Sequence, residues 1–111
     1  MNLTLDTFND PTTFSATVLE LLKSFQGDSK LALKAGDQLY EMAGEAFKAG
    51  QKGLAKKLGY LSEMCHEQML MLTYIEGLSA PFPFNVEDSL KGLMYHKNRI
   101  TEILLVLEVR G

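Results

Sequence analysis

Apolar side chains recur every three or four residues along most of this chain, which is the spacing of one face of an α-helix. The three prolines lie at positions 11, 81 and 83, so the long stretch between them is free of the strongest helix breaker. The pattern predicts an N-terminal arm followed by four helices, at about residues 10–26, 29–49, 52–78 and 86–109. We therefore expect one all-α domain, an antiparallel four-helix bundle-like fold with the short arm 1–9 packed on it.

Short polar segments mark the predicted helix ends. The sequence Asn-Asp-Pro at 9–11 combines a capping side chain with a proline suited to a first helical turn. Residues 26–29 supply a left-handed stop and a new cap within four residues. Asn85 is placed to cap the last helix, and the acids that follow it suit the positive end of a helix.

The second predicted helix is rich in small residues. Gly36 and Gly44 each cost about 1 kcal/mol of helix propensity relative to alanine, so we expect close helix packing to offset that cost. The stretch 43–51, with Leu54, Ala55 and Leu58 after it, resembles the middle of a tetratricopeptide repeat in the order of its small, aromatic and glycine positions. The resemblance covers less than a third of the chain, without a second copy, and implies a tight helical hairpin.

Composition narrows the function classes. The 111 residues allow one domain, and the mix of 46% hydrophobic and 23% charged residues is that of a folded protein. A net charge of -3 leaves no basic surplus for phosphates, so we expect neither a nucleic acid nor a membrane as partner. With one cysteine and no pattern of a signal peptide at its start, the chain is expected in the cytoplasm, without a cofactor.

One motif has the spacing of a metal site. Glu63 and His66 form an E-x-x-H, the pair that ferritin-like proteins use twice inside a four-helix bundle. A homodimer would supply the second copy, and Glu41 falls at a similar level, which gives an alternative function as a metal-binding oxidoreductase or sensor. The helical phase, however, puts Glu63 and His66 on a face away from the apolar stripe, and that face is expected to be solvated.

The other chemical candidates are weaker. Cys65 lies on the apolar stripe, where a buried thiol behaves as a small hydrophobe. A nucleic-acid role would rest on Lys91, Lys97 and Arg99 alone. Since the chain also lacks a phosphate-binding loop and a nucleophile motif, we expect it not to be an enzyme.

Apolar helix surface is the better supported signal. The run 103–107 followed by Val109 has no polar face, although a terminal helix of a small bundle leaves one side in water. The sequence therefore predicts a protein-interaction module, a small adaptor, chaperone or regulatory subunit that binds another protein or a second copy of itself. The expected contact residues are Leu105, Val106, Val109, Met69 and Met71, with Phe82 and Phe84 as secondary anchors.

Overall fold

The computed structural model describes residues 2–78 and 85–110. It contains four helices, α1 (Phe14–Ser24), α2 (Ser29–Lys48), α3 (Lys52–Leu78) and α4 (Val86–Val106). The described residues form no strand, which confirms the expected all-α class. Phe82 and Phe84 lie outside the described residues.

The first helix starts four residues later than the pattern predicts. The carboxylate of Asp10 accepts hydrogen bonds from the backbone N–H of Thr12 (2.9 Å) and from its hydroxyl (2.7 Å), and these bonds lower the pKa of Asp10. Asp10 therefore closes a local turn around Pro11 instead of capping a helix. Thr13 takes the N-cap position, without a side-chain capping bond.

The other end signals behave largely as expected. Gln26 and Gly27 both adopt positive φ after α1, and the side chains of Asp28 and Asn85 cap α2 and α4. The expected end of α4 at residue 109 is wrong, because Glu108 turns left-handed at φ 57°. That turn lets the N–H of Val109 bond back to the carbonyl of Leu104 at 2.9 Å.

Helix α3 packs against α2 on one side and α4 on the other. The expected arm is confirmed as part of the core, since Leu3 and Phe8 are buried in the same cluster as the apolar face of α1. Near the opposite end of the chain, the N–H of Arg110 reaches the Ser15 hydroxyl at 3.2 Å. The candidate sites described below lie along the contacts of α3 with α2 and α4.

No helix among the described residues combines the length and the apolar character that crossing a bilayer requires.

Candidate functional site

The E-x-x-H carboxylate is held by an arginine of α4. Glu63 Oε1 accepts hydrogen bonds from Arg99 Nε (2.8 Å) and Nη2 (2.6 Å), and a third guanidinium nitrogen reaches Glu102 at 3.1 Å. These bonds raise the pKa of Arg99. Because a guanidinium already neutralises Glu63, a metal ion at this carboxylate would have to displace a bound cation.

The histidine of the motif turns to the other neighbouring helix. His66 Nε2 donates to Asp37 Oδ1 at 2.9 Å, and its ring lies over Gly36 of α2. Glu63 and His66 are half-buried in these contacts, so the expectation of a solvated face is wrong, because α3 has a helix on each side. Glu41 is exposed on α2.

The motif residues therefore do not meet as ligands within one chain. In residues 2–78 and 85–110 no group of three or more His, Cys, Asp or Glu side chains is placed to hold a metal ion. A further pair, His96 of α4 with Glu67 of α3, has the same arrangement as the first two. Each pair links one helix to its neighbour, which is a stabilising role.

The cationic stripe of α4 is largely neutralised. Lys91 pairs with Glu87 at 3.4 Å, and Arg99 is engaged by Glu63 and Glu102. Lys97 is the remaining exposed member of the three residues on which a nucleic-acid role would rest. Because two of the three cations are paired with glutamates, this stripe offers little net positive charge to a phosphate backbone.

The expected contact residues divide into two groups. Leu105 and Val106 are exposed, whereas Met69, Met71 and Val109 are half-buried and pack against the core. Val109 is drawn inward by the left-handed turn at the end of α4. The apolar C-terminal end of α4 is thus only partly covered by the rest of the chain. Ile103 is the fully buried residue of this apolar run.

A groove that the sequence analysis did not anticipate lies between α2 and α3. Its α2 wall carries Tyr40 and Phe47, which are 70% and 64% exposed. The space measures about 510 Å³, and we call it the aromatic groove; it is lined by Tyr40, Ala43, Gly44, Phe47, Lys52, Ala55, Lys56 and Gly59. The available signal was two aromatics seven residues apart, and thus on one helical face, beside the buried stripe of α2.

The two glycines of the aromatic groove, Gly44 and Gly59, have open space above them, whereas Gly36 and Gly92 lie against aromatic rings. A Cβ added at Gly36 would lie 2.8 Å from the His66 ring, and one at Gly92 would lie 2.5 Å from the Tyr74 ring. A Cβ added at Gly44 or Gly59 meets nothing within 4 Å. The expected close packing is thus confirmed at Gly36, but within this chain it is wrong for Gly44, which faces open space.

This contrast predicts opposite effects of alanine at two positions of α2. Gly44→Ala should raise the free energy of unfolding by about 0.5–1 kcal/mol, because alanine is the better helix former and has room there. Gly36→Ala should lower it by about 1 kcal/mol, since overpacking against His66 outweighs the same propensity gain. Urea unfolding of both variants measures the two values.

The double variant Gly36→Ala/His66→Ala serves as the control, because removing the ring makes the room that the new methyl needs. Equal stability changes at positions 36 and 44 in the wild-type background would contradict the close approach of His66 to α2.

A smaller groove lies on the α4 side of α3. It offers about 290 Å³ and is lined by Gly53, Lys56, Lys57, Tyr60, Val106, Leu107 and Glu108. Lys56 belongs to both grooves, so the aromatic groove and the exposed Val106 flank the same first turns of α3. Val106, one of the contact residues expected from the sequence, therefore lies in a groove that adjoins the aromatic groove.

No protein-family model, curated protein or solved structure gives a significant match to this chain. Fold and surface alone define the class: a small all-α bundle with an exposed aromatic groove beside its α2–α3 connection.

Proposed function

We propose that the protein is a non-enzymatic protein-interaction module, a small adaptor, chaperone or regulatory subunit, that binds a partner protein in the aromatic groove. The observation that carries the proposal is the exposure of Tyr40 and Phe47 on either side of the small residues of the groove. Aromatic side chains are enriched at protein interfaces, where they supply large apolar area with few rotatable bonds.

The energetics of the groove favour binding. Covering an exposed aromatic ring removes on the order of 100 Å² of apolar surface from water, at about 25 cal/mol per Å². Two such anchors contribute about 5 kcal/mol, which offsets a large part of the entropic cost of association. Val106 and Leu105 extend the apolar surface at the end of α4.

The titratable side chains support a binding role over a catalytic one. His66, His96 and Glu63 are each engaged by a partner on a neighbouring helix. The buried thiol of Cys65 also suits a reducing cytoplasm, the location that we propose.

The double substitution Tyr40→Ala/Phe47→Ala should weaken partner binding at least tenfold while leaving helicity unchanged, because both side chains project into solvent. Affinity isolation with wild-type protein, from the cells that make it, identifies the partner. Titration calorimetry with that purified partner then gives the dissociation constants of wild type and variant.

Tyr95→Ala is the matched control, since Tyr95 is 66% exposed on α4 and lies outside the groove. Binding that survives loss of both groove aromatics but disappears in Leu105→Glu/Val106→Glu would place the interface at the end of α4 instead. If wild type is a dimer in light scattering and the groove variant a monomer, the partner is a second copy of this chain.

A further inference from the structure

Gly44 and Gly59 form the floor of the aromatic groove, and the helix backbone at these positions is not covered by a side chain. Gly44 and Gly59 are interior residues of α2 and α3, where glycine weakens a helix, and neither is needed for packing within the chain. The gap that each leaves is open to an incoming molecule. An element that approaches two helices this closely gains dispersion contacts that an alanine or larger side chain would block.

The groove also carries a positive charge that the chain does not neutralise. Lys52 and Lys56 line it, and neither forms an ion pair with any described residue. Between residues 52 and 62, α3 carries three lysines and no acid, although the first turn of a helix favours negative charge. The third, Lys57, lies over the Phe14 ring at 5.2 Å and faces away.

The acids of α2 do not balance these lysines. Glu41 and Glu45 are exposed, but neither lines the groove. Two unpaired lysines at a helix start give an anionic partner a favourable contact here, although the chain as a whole carries a net charge of -3. The charge therefore selects among the proteins that could cover the two aromatics.

The shape of the groove selects the backbone conformation of the partner. Tyr40 and Phe47 are seven residues apart, which is about 10 Å along α2 and close to the diameter of one helix. Among the described residues no strand edge is available for an extended peptide to pair with. A helix satisfies its own backbone hydrogen bonds and can present small residues to Gly44 and Gly59.

We infer that the aromatic groove binds an acidic amphipathic helix of a partner protein. Small apolar residues of that helix lie over Gly44 and Gly59, its apolar edges contact Tyr40 and Phe47, and its carboxylates pair with Lys52 and Lys56. The inference rests on the proposed function, because it names the occupant of the same groove.

The test uses two designed helical peptides of about 18 residues, long enough to be helical in solution. Both carry one alanine-rich apolar face, flanked by glutamates in the first and by lysines in the second. We expect the acidic peptide to shift the amide signals of Gly44 and Gly59 in ¹⁵N NMR spectra of the full chain. The lysine peptide should bind at least tenfold more weakly by fluorescence anisotropy.

Two variants separate charge from shape. Lys52→Glu/Lys56→Glu should reverse the preference between the peptides, since the substitution changes the sign of the charge that lines the groove and leaves its aromatics and glycines in place. Gly44→Ala/Gly59→Ala should be at least as stable as wild type yet bind the acidic peptide several-fold more weakly, because the methyl groups fill the floor. A purely structural role for the glycines predicts no change in binding.

Equal binding of both peptides in the groove would overturn the charge inference while leaving the proposed function intact. No groove shifts at millimolar acidic peptide would overturn the helix inference, and so would concentration-dependent groove shifts of the protein alone, which identify a second copy as the occupant. The proposed function itself fails only if the natural partner still binds Tyr40→Ala/Phe47→Ala.

Discussion

Phe8→Ala is expected to lower the free energy of unfolding by about 3–4 kcal/mol, the cost of emptying the site of a large buried ring. Phe8 precedes the first helix, yet it is only 1% exposed and its ring meets the Phe14 ring edge to face at 6.3 Å. A domain of ordinary stability has about 5–15 kcal/mol in total, so this substitution in the arm would remove much of it.

Urea unfolding followed by circular dichroism measures the loss. Leu5→Ala is the matched control, because Leu5 belongs to the same arm but is only partly buried, and its loss should be about 1 kcal/mol. Similar small losses for both variants would show that the arm lies loosely on the bundle and does not form part of its core.

The thiol of Cys65 is expected to react at least a hundredfold more slowly in the native protein than in the unfolded chain. Burial raises the pKa of Cys65 to about 12, from its ordinary value near 9. Thiolate is the reactive form, so at pH 8 this shift alone lowers its fraction by roughly a thousandfold. Labelling with a chromogenic disulfide, with and without denaturant, measures the ratio.

Labelling of the Cys65 thiol also tests the prediction for Phe8→Ala. Labelling of a buried thiol follows the open population when opening is fast, so Phe8→Ala should label Cys65 faster than wild type does. Because the thiol of the open state has its ordinary pKa, the reaction of both proteins should accelerate with pH only up to about 9. Fast labelling of the wild-type protein at pH 7 would contradict the burial of Cys65 on the apolar stripe of α3.

The helices were predictable to the extent that local chemistry decides them. The predicted bounds of α3, 52–78, are those observed, since its ends follow from a glycine turn and a proline segment. The start of α1 was missed because Asp10 can either cap a helix or close its own turn, and sequence alone does not choose between these hydrogen bonds.

The candidate sites were less predictable, because a helical wheel does not show which side of a helix has a neighbour. Glu63 and His66 were placed correctly away from the apolar stripe, but their partners Arg99 and Asp37 come from distant parts of the chain. For Gly44 the wheel could indicate a role in packing. It could not show that nothing in this chain fills the space above it.

The sequence by itself determined the all-α class, a helix cap within residues 26–29 and another at Asn85, and the burial of Cys65, because periodicity and capping act over a few residues. Only the tertiary structure decided that Phe8 is buried against the Phe14 ring, that the E-x-x-H side chains pair with α2 and α4, and that Tyr40 and Phe47 flank an open groove. These features depend on which helix surfaces meet, and that is settled by the packing of the whole chain.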